Sequence, residues 1–207
     1  MNHYRDHNPA ATVGWVRVAR RFSNVVSPPV IFAILALALS WYELGFWDGL
    51  LWAAVYGFWV SLAPILFVLY LLQTGRISDL HMNTSKERRW PYVASVFGAV
   101  IAFIFVLIFN GPDLLLCLSI FSIIELATLS IITNFWMISI HATSISAATV
   151  IVGLVFGLVP ALLLLPLDIL VAWVRLYLRR HTWAQVVAGL TLGLASVYVT
   201  TLFGCFG

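Results

Sequence analysis

The sequence predicts an all-α membrane protein, a polytopic bundle of six to seven transmembrane helices. Of its 207 residues, 62% are hydrophobic and only 9% are charged, whereas a soluble domain carries about 25% charged residues. The chain is long enough for six or seven spans of about 20 residues each. We therefore expect one transmembrane helical domain over residues 28–207, after a cytoplasmic or interfacial segment over residues 1–27.

Prolines and a tryptophan-flanked turn delimit the first two predicted spans. Pro28 and Pro29 precede a span of about 30–47, and a second span covers about 50–73. The turn between them, ELGFWDG, carries the aromatic residues expected at a headgroup boundary. The longest polar stretch of the chain, Thr74 to Pro91, follows the second span.

The other spans are separated by shorter polar joints. A third span at about 92–109 ends at the turn NGPD, whose composition interrupts a helix. The remaining spans are expected at about 114–137, 138–157, 161–177 and 183–204. The helix from 138 to 157 reaches that length only if its polar start, ISIHATSIS, is itself helical.

The charges are strongly asymmetric across these spans. With seven crossings, all eleven Lys and Arg residues share the side of the N-terminal segment: Arg5, Arg17, Arg20, Arg21, Arg76, Lys86, Arg88, Arg89, Arg175, Arg179 and Arg180. Cytoplasmic loops of membrane proteins carry an excess of Lys and Arg. The sequence therefore predicts a multi-pass protein of the cell membrane with these loops on the cytoplasmic side.

The two cysteines, Cys117 and Cys205, lie inside apolar runs. They show no CxxC or Cys/His spacing that would indicate a metal site. We interpret them as two small buried apolar residues that carry no information about the redox compartment.

Three polar clusters, far apart in the sequence, fall on the predicted cytoplasmic face. They contain Lys86, Arg88 and Arg89, then Ser139 and His141, then Arg175 and His181. Arginine side chains match the oxygens of a phosphate group and stay charged. One histidine can attack phosphorus and the other can protonate the departing alkoxide. This combination suits the hydrolysis of a phosphate ester.

The same residues resemble the motifs of the type 2 phosphatidic acid phosphatase (PAP2) superfamily. Arg175-x5-His181 ahead of an apolar helix resembles its third motif, and Ile138-Ser139-Ile140-His141 resembles its second, Pro-Ser-Gly-His. The segment KERRWP, residues 86–91, resembles the end of its first motif. The order of the motifs and the helices between them agree as well, over roughly residues 70–205.

The resemblance implies a PAP2-type phosphoric monoester or diphosphate hydrolase. His181 would be the nucleophile that forms a phosphohistidine, and His141 would be the general acid. The phosphate would be held by Lys86, Arg88, Arg89, Ser139 and Arg175. The substrate would be a lipid phosphate or an isoprenoid diphosphate within the membrane, with no metal and no cofactor.

Two further residues are expected to support this site. Gln185 stands where the family motif has an aspartate. An amide orients an imidazole but does not stabilise its positive charge as a carboxylate does, so we expect slower catalysis. Asp168 lies seven residues before Arg175, hence two helical turns away on the same face.

Two other functions remain open, and neither involves nucleic acid. A Mg²⁺-dependent enzyme that uses prenyl diphosphates would need paired aspartate-rich loops, and the chain offers Asp79 and His81 but no second cluster. A transporter or binding protein would use Glu125 and Asp168, since intramembrane acids are costly and usually face a cavity or a partner.

Overall fold

A computed structural model of the chain describes residues 14–78, 82 and 84–207. Within these residues there are nine α-helices and one π-helical turn. The helices are α1 (Trp15–Val25), α2 (Pro28–Leu44), α3 (Phe46–Gly57), α4 (Ala63–Gln73), α5 (Ser85–Ile108), α6 (Asp113–Thr133), α7 (Ile140–Phe156), α8 (Leu158–Tyr177) and α9 (Trp183–Thr201). The π-helical turn, Phe58–Leu62, joins α3 to α4.

The prediction of a polytopic helical membrane protein is confirmed. Five continuous helical segments are long and apolar enough to cross a membrane, and α1 and α2 together make a sixth if they form one bent span. The polar segment ISIHATSIS is helical from Ile140 onwards, as expected. Helix α7 has only 17 residues, so the seventh crossing stays a prediction.

The chain divides into two compact units. Unit 1 comprises residues 1–31 and 138–197, and unit 2 comprises residues 32–137 and 198–207. Four of the predicted site residues, Ser139, His141, Arg175 and His181, belong to unit 1. The cluster of Lys86, Arg88 and Arg89 belongs to unit 2.

In unit 1, two glycines let α9 lie directly against α7. A Cβ atom on Gly193 would collide with the Ser146 hydroxyl and with the Thr143 carbonyl. A Cβ atom on Gly189 would lie 2.6 Å from the Ser139 carbonyl oxygen. The spacing Gly189-x3-Gly193 is the small-residue pattern that permits close helix packing in membranes. The Ser146 hydroxyl also donates to the Leu190 carbonyl at 3.1 Å. This glycine seam fixes α7 next to α9.

In unit 2, the π-helical turn has its cause in Pro64. A proline has no N–H and its ring clashes with the carbonyl four residues earlier. The ladder shifts accordingly, and the N–H of Ala63 donates to the Phe58 carbonyl, five residues back. Helix α5 passes close to this turn at Gly98, where a Cβ atom would collide with the Trp59 carbonyl oxygen.

Glu43 caps the start of α6 within unit 2. Its two carboxylate oxygens accept the backbone N–H groups of Asp113 and Leu114 at 2.7 and 3.0 Å. The first N–H groups of a helix lack acceptors in the helix itself and favour negative charge. The end of α2 and the start of α6 are therefore held together.

The interpretation of the two cysteines is wrong, because Cys117 and Cys205 form a disulfide. Both belong to unit 2, their Cα atoms lie 5.3 Å apart, and 88 positions separate them in the sequence. Cys117 lies on α6, and Cys205 follows α9. No local spacing encodes such a pair, since packing alone brings the two apolar segments together.

Arg5, Asp79 and His81 lie outside the described residues.

Candidate functional site

The turn after α8 brings His181 back to Arg175. The N–H of Arg180 donates to the Arg175 carbonyl at 3.1 Å, and the N–H of Arg179 donates to the Leu176 carbonyl at 2.9 Å. Arg179 has a positive φ of 55°. These are the bonds and the left-handed residue of a Schellman motif at a helix C-terminus. The motif reverses the chain within five residues, so the Arg175-x5-His181 spacing brings His181 back to Arg175.

Arg175 and His181 are in contact and both are buried. Nη2 of Arg175 lies 3.3 Å from Nε2 of His181, and their side chains are 4% and 7% exposed. A guanidinium only donates hydrogen bonds, so Nε2 of His181 is the acceptor. In the neutral ring the proton then lies on Nδ1. The lone pair of Nε2 is thus directed at the group that would hold a phosphate.

The second histidine has the opposite arrangement. Nε2 of His141 lies 3.1 Å from the backbone carbonyl oxygen of Ser23, and a carbonyl only accepts, so this nitrogen carries a proton. The Ser23 hydroxyl lies 3.5 Å from the same nitrogen. At Nε2, His181 therefore presents a lone pair and His141 presents an N–H.

Ser23 is a member of this cluster that the sequence analysis missed. Its hydroxyl accepts a hydrogen bond of 2.9 Å from Nη1 of Arg175, and the residue is 4% exposed. One turn earlier on α1, Ala19 packs against Val174 of α8 and against Leu178, which follows that helix. Ala19 and Ser23 are small residues four positions apart on one helix, and this spacing was the only indication of the contact in the sequence.

Ser139 lies at the start of α7, where it was expected, and is fully buried. It is the N-cap residue, and its hydroxyl accepts from the N–H of Ala142 at 3.4 Å. Its backbone N–H donates to the Gln185 carbonyl at 3.1 Å, which ties the beginning of α7 to the first turn of α9. The N-terminus of α7 is a favourable place for an anion.

The side chains of the two supporting residues have other partners. Gln185 accepts the N–H of Thr182 at 2.9 Å, and its own N–H donates to the Thr182 hydroxyl at 3.4 Å. This reciprocal pair is a capping box at the start of α9. Asp168 accepts a hydrogen bond of 2.8 Å from the Thr149 hydroxyl, which links α8 to α7. A direct role for either residue in the site stays a prediction.

The basic cluster of unit 2 lies beside an amphiphilic cleft. The cleft has a volume of about 560 Å³ and is lined by Phe67, Leu71, Arg76, Lys86, Glu87 and Trp90. Arg88 donates from Nε to the Met82 carbonyl at 2.9 Å, so this side chain is hydrogen-bonded to the preceding loop. Arg89 is exposed. The joining of Arg89 with Arg175 on one anion stays a prediction.

No family model, curated protein or solved structure matches the chain. The resemblance to the PAP2 superfamily thus depends on the three motifs, two of which supply residues to the cluster in unit 1. Within the described part of the chain, no group of three or more His, Cys, Asp or Glu side chains could hold a metal ion.

Proposed function

We propose that the protein is a membrane phosphatase that hydrolyses lipid phosphates or isoprenoid diphosphates through a phosphohistidine intermediate. The observation that carries this proposal is the opposed arrangement of the two histidines around Arg175. His181 offers a lone pair at Nε2, whereas His141 offers an N–H at Nε2. A nucleophile and a general acid need these two states.

The phosphate group would bind first through the guanidinium of Arg175. Its oxygens would take the N–H bonds that Ser23 and His181 now accept. Charge-assisted hydrogen bonds from arginine to phosphate are stronger than a bond to a neutral hydroxyl. The exchange therefore favours the substrate, and it leaves Nε2 of His181 facing phosphorus.

In the first chemical step, the lone pair of His181 Nε2 forms a bond to phosphorus. The bond from phosphorus to the leaving oxygen breaks, and its electron pair stays on that oxygen. His141, as the imidazolium, gives the Nε2 proton to this oxygen and becomes neutral. The products of the step are a phosphohistidine and the free alcohol from a lipid phosphate, or the isoprenoid monophosphate from a diphosphate.

In the second step, water hydrolyses the phosphohistidine. The water oxygen bonds to phosphorus while His141 Nε2 accepts a proton from the water. The nitrogen–phosphorus bond breaks and its electrons return to His181. Inorganic phosphate then leaves, and both histidines are restored to their starting states.

The membrane setting accounts for the expected substrate class. Arg175 lies in the last turn of α8, an apolar helix that is long enough to cross a membrane. A lipid or prenyl chain can remain among such helices while its phosphate reaches Arg175.

Phosphate release by the purified protein in lipid nanodiscs tests the proposal. The substrates are phosphatidic acid and an isoprenoid diphosphate. Arg175→Gln should lower the rate by about 10²–10³-fold, as expected for losing one charge-stabilising donor. Arg179→Gln is the matched control, since Arg179 is an exposed arginine four residues away and should keep full activity. Activity should also survive EDTA.

His181→Ala should abolish turnover and the acid-labile phosphoprotein that accumulates in the wild-type protein. Undiminished phosphate release by His181→Ala would falsify the assignment. Complete loss of activity on chelation would instead favour the Mg²⁺-dependent prenyl enzyme.

A further inference from the structure

Unit 2 contains a buried acid that the proposed phosphatase does not use. Glu125 is 1% exposed and lies about 18 Å along α6 from Asp113, at 1.5 Å per residue. That is near the middle of a hydrocarbon layer about 30 Å thick. Neither of its carboxyl oxygens has a hydrogen-bond partner among the residues that the structure describes.

Two buried hydroxyls of unit 2 contrast with this carboxyl. The hydroxyl of Ser119 donates to the Leu115 carbonyl at 2.8 Å, and that of Ser40 donates to the Ala36 carbonyl at 2.7 Å. These hydroxyls return to their own helices and need no ligand. A buried polar group without a partner is costly and calls for a specific explanation.

Two hydroxyl groups belong to the surroundings of this carboxyl, although neither is hydrogen-bonded to it. Ser122 precedes Glu125 by one turn on the same face of α6, and its hydroxyl lies 2.7 Å from the Tyr56 hydroxyl. Tyr56 is fully buried, and the Glu125 carboxyl is close enough to act on it electrostatically. Tyr56 lies two residues before the π-helical turn, a feature that often accompanies functional sites.

The chemistry of these groups selects the ligand. An ionised carboxylate without a partner in an apolar interior costs several kcal/mol, whereas the neutral acid costs far less. A sodium ion would require several oxygen ligands around it, and the described residues place no hydroxyl within hydrogen-bond distance of the carboxyl oxygens. A proton needs only a carboxyl oxygen.

We propose that Glu125 forms a proton-binding site within the membrane part of unit 2. The carboxyl is the group that binds the proton. This site consists of unit 2 residues alone and does not depend on the proposed phosphatase activity.

Labelling with dicyclohexylcarbodiimide tests the site, because this apolar reagent modifies protonated carboxyls within membranes. In the full-length protein in nanodiscs, mass spectrometry should locate an adduct on Glu125. The adduct should not form when labelling is done in alkaline solution, nor in Glu125→Gln. Glu125→Asp should retain the adduct. Protection by sodium at constant pH would identify a sodium site and overturn the proton assignment.

Infrared spectroscopy covers the case in which the reagent fails to reach the site. The wild-type protein should show the carbonyl stretch of a protonated carboxyl, shifting in D₂O and absent from Glu125→Gln. Absence of this band would mean that Glu125 is ionised. A band that persists in alkali and never shifts in D₂O would mean that the proton of Glu125 does not exchange. Either result overturns the proposal. Size-exclusion chromatography verifies that Glu125→Gln, the isosteric variant, is folded.

Discussion

The hydroxyl of Ser23 accepts a hydrogen bond of 2.9 Å from Nη1 of Arg175, although 152 residues separate them in the sequence. The amphipathic helix α1 thereby supplies an acceptor to the arginine that would bind the phosphate. The proposed substrate would take the same N–H of Nη1 that this hydroxyl accepts, so Ser23 and the substrate compete for that N–H.

Ser23→Ala is therefore expected to tighten anion binding. The net contribution of such a hydrogen bond is about 1 kcal/mol, which corresponds to about a fivefold change in affinity. The inhibition constant for vanadate, measured from phosphate release, should fall by this factor. Ser95→Ala is the control, since the Ser95 hydroxyl donates to the Pro91 carbonyl in unit 2. Weaker vanadate binding by Ser23→Ala would show that Ser23 assists the anion rather than competing with it.

The N–H that His141 presents at Nε2 leads to a prediction about leaving groups. His141→Ala should reduce the hydrolysis of alkyl phosphates by about 10²–10⁴-fold, the usual contribution of a general acid. Aryl phosphates with acidic leaving groups should lose much less, because their oxygens depart without protonation. A rate comparison across a series of phosphate esters measures this difference, and equal losses for all esters would exclude His141 as the acid.

Gly193→Ala should disturb both the fold and the site. The new methyl group would meet the Ser146 hydroxyl and the Thr143 carbonyl, and overpacking of this kind costs about 1–3 kcal/mol. We expect a lower melting temperature in detergent and a lower rate, since α7 carries His141 and α9 holds the start of α7 in place. Gly57→Ala is the matched control, because Gly57 has helical dihedrals and open space around its Cβ position. Equal melting temperatures for the two variants would contradict the close packing.

The disulfide of Cys117 and Cys205 predicts both stability and orientation. Cys117→Ser should lower the free energy of unfolding by about 2–4 kcal/mol. Disulfides form in oxidising compartments, so the end of α6 that carries Cys117 should face away from the cytoplasm. A cysteine introduced at Thr84, in a background without Cys117 and Cys205, should then be accessible to an impermeant thiol reagent only from the cytoplasm, and one at Gly207 only from outside. Labelling of both from one side would contradict the predicted alternation.

Most of the fold could be predicted because its boundaries are encoded locally. Pro28 and Pro29 begin α2, and Pro112 is the N-cap of α6. The Arg175-x5-His181 spacing also anticipated a contact, since a Schellman motif spans that interval. The His141 and His181 side chains lie in the same unit and meet the Ser23–Arg175 pair, but the sequence alone could not assign the proton on each ring.

The remaining features depend on tertiary contacts that leave little trace in the sequence. Ser23 joins the site because Ala19 lets α1 approach α8, and a small residue at that spacing is common in any helix. The disulfide joins two apolar segments whose pairing no spacing rule encodes. Gln185 was expected to support His181, and its side chain accepts the N–H of Thr182 at the start of α9, because the first N–H groups of a helix lack acceptors in the helix itself.

The π-helical turn between α3 and α4 changes how the face of each residue should be counted along this span. An α-helix advances about 100° per residue, and a π-helical turn accommodates one extra residue in nearly the same rise. Residues after Leu62 are therefore out of rotational phase with those before Phe58 by about one residue. A helical wheel drawn across the whole span would assign Tyr56 and Leu71 to incorrect relative faces. Cross-linking pairs for this segment should be chosen separately on each side of the turn.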